Sequence, residues 1–196
     1  MAAEISSLGL SVKDTEAFLH ECVHTMGEAM DVGRVFFWKY NPRSGTFSCM
    51  TECLEKGIDS QMDLLQDISA DQLLLVSDLF QRGQAFKHHD IRNVPQGREK
   101  EIMEMLNVKS VLVFPISVGN RPYGFLCFED YAQQRTWTRD DIRILKTVSQ
   151  IIMHVIEARL AEEEIVSHHD QLEQEVNRRT AELEQKNTAL NVLLER

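Results

Sequence analysis

Between residues 14 and 30 the apolar side chains Phe18, Leu19, Cys22, Val23, Met26 and Met30 recur at spacings of three and four, behind Asp14 as an N-terminal cap. That pattern predicts an amphipathic helix. The period then changes. The stretch DVGRVFFWKYNPRSGTFSCMTECL carries aromatic and β-branched residues on both sides of NPRSG, which predicts a β-hairpin. Ser69-Ala70-Asp71-Gln72 has the form of a capping box ahead of an apolar run over 73–80, with Gly83 as a stop, so a second helix is expected. A short strand over 84–87, a loop through Pro95 and a helix over 97–106 follow. SVLVFPISVGNRPYGFLCFED reads as two strands around GNRP and is the strongest hairpin signal in the chain. Thr138-Arg139-Asp140-Asp141 opens another helix with a capping box, and residues 142–196 contain no Gly or Pro. One helix can therefore run to the end, roughly 80 Å at about 1.5 Å per residue. The order fits an α+β architecture, an antiparallel sheet with helices on one side and excursions on the other.

Composition narrows the partners. The 196 residues suit one domain plus an appendage, and 43% hydrophobic content is enough for a core. A net charge of -10 disfavours nucleic acid or an anionic membrane as a direct partner, because both require clustered Lys and Arg. From Glu162 onward nine acidic residues stand against four basic ones, so the tail is a solvated element. No run of 18 apolar residues is present, and MAAEISSLGL lacks the basic and apolar regions of a signal peptide, which leads to the expectation of a cytoplasmic protein. Cys22, Cys49, Cys53 and Cys127 form no CxxC pair and are expected to be free thiols.

DVGRVFFWKY, GQAFKHHDI, SVLVFPISVGNRPYGFLCFED and WTRDDIRILKTVSQIIMHVIEARL resemble the successive blocks of a GAF domain, the small-molecule sensor module of phosphodiesterases, phytochromes and bacterial signalling proteins. LEQEVNRRTAELEQKN is similar to the coiled-coil linkers that follow sensory domains in histidine kinases and related regulators. The resemblance implies a GAF sensor domain over 12–160 and a coiled-coil signalling linker over 161–196, leading to an output domain beyond this sequence. The fold expected is a GAF-like antiparallel sheet of five or six strands with flanking helices and a long C-terminal coiled-coil helix. A ligand cavity would lie on one face of the sheet and the first and last helices on the other. By similarity to the phytochrome branch and by strand alternation, Phe36, Trp38, Phe47, Cys49, Val111, Val113, Phe125, Cys127 and Glu129 would share the cavity side. The competing reading is that these residues fill a closed core.

Sharper chemistries find less support. Covalent bilin attachment in this family uses a Cys usually followed by His, and none of the four cysteines is. Asp90-Ile91 is followed by Arg92 where the phytochrome motif has Pro. The signature of cyclic-nucleotide-binding GAF domains is absent, and the ligand or cofactor stays unnamed. His88 and His89 read as solvated loop residues rather than metal ligands, because adjacent side chains point to opposite sides. His168 and His169 lack the sequence context of a kinase phosphoacceptor and read as polar helix positions. The enzyme alternative is a free methionine sulfoxide reductase, with Cys49 and Cys53 four apart on one strand and Cys127 beside them as the thiol chemistry. No other catalytic constellation is visible, so a binding function is expected.

Leu145, Val148, Ile152 and Val155 make a seam facing a partner or the domain's own first helix. Downstream, Val176, Leu183 and Leu190 recur every seven with Thr180, Asn187 and Leu194 at the alternate positions, and Asn187 would fix the register of a parallel two-stranded coil. Leu172 falls outside that frame, and the break offers a place where paired helices rotate or splay. A homodimer through the N- and C-terminal helices is expected, with an unliganded dimerisation platform as the alternative role.

Overall fold

The structure, a computed structural model, describes residues 1–194, with side chains described through residue 183. Five α-helices and six strands follow in the order α1 (Ala2–Ser11), α2 (Thr15–Met30), β1 (Arg34–Asn41), β2 (Thr46–Leu54), β3 (Ile68–Ser69), α3 (Leu74–Arg82), β4 (Phe86–His88), α4 (Arg98–Met105), β5 (Ser110–Val118), β6 (Arg121–Asp130) and α5 (Arg139–Leu194). The strands make one antiparallel sheet of order β3-β2-β1-β6-β5-β4. The chain packs as two units, Met1–Ile156 and Glu157–Arg196.

Within the first unit the sheet carries a core on each face. One side packs Val35, Phe37, Leu112, Phe114, Leu126 and Phe128 against Phe18, Leu19, Val23 and Met26 of α2 and Leu145, Val148 and Ile152 of α5. Each such side chain, fully removed from water, contributes about 1.5–3 kcal/mol. The α5 seam residues Leu145, Val148 and Ile152 are thus spent within the domain. The predicted α2 is present with its cap, since Asp14 Oδ1 accepts from the Ala17 N–H at 2.7 Å. The Thr138 box is reciprocal, the Thr138 N–H donating to Asp141 and the Asp141 N–H to Thr138 Oγ1 at 3.1 Å.

Three local features differ from the sequence reading. α1 had no periodic signal; Ile5 is its buried residue, and Gly9 lets it approach α5 where an added Cβ would stand 2.7 Å from Val155 Cγ2. The Ser69 box caps nothing. Ser69 Oγ bonds Asp71, residues 70–72 form a 3-10 turn, and α3 begins at Leu74 with its Leu75 N–H donating 2.7 Å to Glu99 Oε1 from α4. The carboxylate that serves this helix start comes from elsewhere in the chain, which local patterning cannot reveal. Finally, β2 holds a bulge. Phe37 pairs Thr51 and Trp38 pairs Cys49, leaving Met50 as the extra residue.

That bulge reverses the facing of the rest of β2. Phe47 and Cys49 face the side away from α2, whereas Cys53 faces α2, where a Cβ on Gly27 would meet its Sγ at 2.5 Å. Cys49 and Cys53 therefore do not share a surface, contrary to the expectation for a thiol enzyme. All four cysteines are free.

In the second unit, Val176 and Leu183 are each 60% exposed and Leu172 is 67% exposed. Asn187 and Leu190 lie outside the residues whose side chains are described. Ile165, Leu172, Val176 and Leu183 step by seven, four and seven along the helix and are all exposed, and the position seven beyond Leu172 is Arg179. Arg178 and Arg179 both bond Glu175 at 2.7 Å, holding its carboxyl down at about 2. No described helix is long and apolar enough to cross a membrane.

Candidate ligand cavity

The second face of the sheet is covered by the excursion between β2 and β5. Phe36, Trp38, Phe47, Cys49, Val111, Val113, Phe125 and Cys127 project from the strands into one cluster with Leu65, Leu73, Val76, Leu79, Ile91, Val94 and Met103. Alternation explains the sheet half. The antiparallel register sets Phe36 opposite Cys127, Trp38 opposite Phe125 and Arg34 opposite Glu129, so three rungs of paired side chains face the excursion.

A cavity of about 60 Å³ opens between the two halves. Of the residues expected to face it, Phe36, Trp38, Val113, Phe125, Cys127 and Glu129 line it. Phe47, Cys49 and Val111 do not; they pack in the surrounding cluster, Phe47 with its ring 5.3 Å from that of Phe125. The roof comes from α3 and α4, chiefly Val76, Leu79, Glu99, Ile102 and Met103. Sequence reading gave those two helices no role at the site, because an apolar helix face looks the same whether it covers a core or a cavity.

Behind the wall of the cavity, Glu129 joins a buried charged cluster. Arg34 is fully buried, its Nη2 2.5 Å from Glu52 Oε2 and its Nη1 3.9 Å from Glu129 Oε2. The Tyr131 hydroxyl donates to Glu129 Oε2 at 2.7 Å and accepts from Arg34 Nη1 at 3.4 Å. The guanidinium also lies over the Phe36 ring, 4.5 Å from its centre. Burial works against the charge on Arg34, but Glu129 and Tyr131 outweigh it and hold the group protonated. Burial raises the Glu129 carboxyl above its usual range, with Arg34 and Tyr131 only partly opposing it and Glu52 adding to it. Glu52 reaches this cluster because of the bulge, which turns even-numbered β2 residues inward past Met50. Trp38 Nε1 and Arg34 Nε are buried N–H groups with no partner among the described residues.

The other chemical candidates have structural assignments. Burial pushes the Cys49 thiol up to about 12 and Cys127 well above its ordinary value, so neither is a thiolate at neutral pH. His89 is exposed yet not idle: its Nδ1 accepts from the Trp137 N–H at 3.0 Å and tethers the segment leading into α5. His88 lies beside Phe86, ring centres 4.7 Å apart, and burial lowers its pKa. His168 and His169 are exposed.

The model of the GAF domain family matches residues 14–156, and the chain belongs to that family. Solved structures similar to it include the blue-light-absorbing form of the PixJ GAF domain of Thermosynechococcus elongatus, 17% identical with a TM-score of 0.68 over 81% of this chain and 95% of that one. A phycocyanobilin-bound GAF domain from a cyanobacterial phytochrome is 16% identical with a TM-score of 0.70, over 83% of this chain and 97% of that one. The far-red-absorbing dark state of a protein with bound biliverdin IXα is 18% identical with a TM-score of 0.68, over 81% and 98% respectively. At these identities the likeness establishes the fold. No curated protein sequence matches the chain.

Proposed function

We propose that this GAF domain senses a small molecule in the cavity beneath α3 and α4 and passes its occupancy through α5, as a parallel dimeric coiled coil, to an output domain of a bacterial, cytoplasmic signalling protein such as a histidine kinase. The observation that carries the reading is the cavity itself: an aromatic-walled space in the second core with two carboxylates, Glu99 and Glu129, at its lining. Glu99 and Glu129, 6% and 3% exposed, have partners in Leu75, Tyr131 and Arg34, and they also set acidic groups at the wall of an otherwise apolar space. The fold neighbours that hold bilins support a sensory role. A bilin as the ligand here is not supported, because about 60 Å³ is well below the 300–1,000 Å³ typical of cofactor pockets. The exposed seam of Ile165, Leu172, Val176 and Leu183 supports a helical partner, and a second copy of the same helix offers the matching spacing.

The chain binds and transmits rather than catalyses. The high-pKa thiols of Cys49 and Cys127, and the position of Cys53 on the other face, speak against a thiol reductase. One observation favours the unliganded dimerisation platform, namely the small size of the cavity. Thermal unfolding of the full chain against a library of charged and neutral metabolites separates the two. A ligand at about 100 times its Kd stabilises the folded state by about 2.7 kcal/mol. Under the sensor reading at least one compound raises Tm, and Val113→Phe, which fills the cavity, abolishes the shift. No responsive compound contradicts the sensor and leaves the platform.

A further inference from the structure

The geometry points to a small organic cation, a protonated amine or alkanolamine, as the occupant of this cavity. The inference rests on the sensor reading and narrows it. Its first support is charge. Glu99 and Glu129 line the cavity, and no Lys, Arg or His does. Glu129 accepts from the Tyr131 hydroxyl at 2.7 Å, but among the described residues neither carboxylate has a cation to itself. A single guanidinium, Arg34, serves both Glu52 at 2.5 Å and Glu129 at 3.9 Å. Glu99 has its Oε1 engaged by the Leu75 N–H, a neutral donor. Lys100, the cation next along α4, turns away and donates to the Arg92 carbonyl at 3.2 Å. A buried carboxylate short of positive charge is costly, and a cation beside it repays that cost.

The walls agree with the charge. Phe36, Trp38, Phe86 and Phe125 line the space, and aromatic faces attract ammonium and guanidinium groups. Phe36 already carries one such contact, with Arg34 4.5 Å from its ring centre. Trp38, 5% exposed, adds an N–H with no acceptor; a ligand hydroxyl would fill that role. Size limits the candidate. A dry cavity of about 150 Å³ holds benzene. The 60 Å³ here therefore suits a molecule of a few heavy atoms. An anion of equal size would bring like charge against Glu99 and Glu129.

Calorimetric titration of the full chain with ethanolamine hydrochloride, propan-1-ol and sodium propionate tests this, with ammonium chloride as the salt control. Ethanolamine is expected to bind at least tenfold more tightly than propan-1-ol, and propionate not to bind. Glu129→Gln should weaken ethanolamine at least tenfold and weaken propan-1-ol by a much smaller factor. Glu99→Gln gives a second reading from the roof should the first variant fail to fold, with the same direction expected. Propionate or propan-1-ol binding as tightly as ethanolamine, and abolished by Val113→Phe, overturns the cation while leaving a sensor cavity. Binding of none of the three also overturns the cation, and the library screen then decides the sensor reading independently. Ethanolamine affinity indifferent to both glutamate substitutions overturns the assignment to this site.

Discussion

Arg34 shows how one residue can organise a site. It sits at 0% exposure between two carboxylates, so truncating it leaves Glu52 and Glu129 buried without their cation. Arg34→Ala should cost about 3–5 kcal/mol in urea unfolding, well above a surface Arg truncation. Glu129 supplies a pH signature. Its folded pKa lies above the usual 4.5, so between those two values the folded state holds the proton more tightly than the unfolded state. Stability from this group is fully present below pH about 4.5 and falls as pH rises through the folded pKa. Glu129→Gln should remove that part of the pH dependence, measured by urea unfolding at a series of pH values. The groups facing Glu129 are Arg34, Glu52, Tyr131 and the Cys49 and Cys127 thiols. Strand alternation made Phe36, Trp38, Phe125, Cys127 and Glu129 legible as one face. Arg34 was missed because a charged residue at a strand start reads as solvated, although it shares the parity of Phe36 and Trp38. Glu52 was not legible, since its facing depends on a bulge that no local residue announces.

Elements were legible where they cap and patterned themselves, and not where a distant residue does the work. α2, both hairpins, α4 and the start of α5 follow from local signals. The start of α3 depends on Glu99, and α1 depends on packing around Ile5. Thr138→Ala should cost about 1 kcal/mol of stability through the lost reciprocal cap, and Ser69→Ala should cost far less because its side chain serves no helix. The hairpin of β5 and β6 needs a glycine at one point. A Cβ on Gly124 would meet the Trp38 carbonyl and the Phe37 ring across the β1–β6 pairing. Gly124→Ala should therefore destabilise the domain by about 1–3 kcal/mol or more, read as a lowered denaturant midpoint. The backbone cannot step aside there as a flexible side chain could.

At the scale of the molecule, the sheet divides two kinds of interior. The face toward α2 and α5 holds the larger apolar core, with a groove of about 850 Å³ beside it lined by Leu112, Phe114, Ile142 and Ser149. The face beneath α3 and α4 carries Arg34 and Glu129, the unpartnered Trp38 N–H and the cavity of about 60 Å³. The tail's seam, Ile165, Leu172, Val176 and Leu183, is apolar surface left to water in a single chain. If the proposed coiled coil forms, the full chain sediments as a dimer, and replacing Leu172, Val176 and Leu183 together with Glu should return it to a monomer while leaving the near-UV signal of Trp38 and Trp137 intact. Native mass spectrometry of the intact full chain, purified without denaturation and compared with Val113→Phe, bears most directly on the sensor cavity. The account predicts a small-molecule mass on the wild-type chain that is absent from the variant. A wild-type chain carrying no added mass, or one carrying the same added mass as the filled-cavity variant, would contradict it.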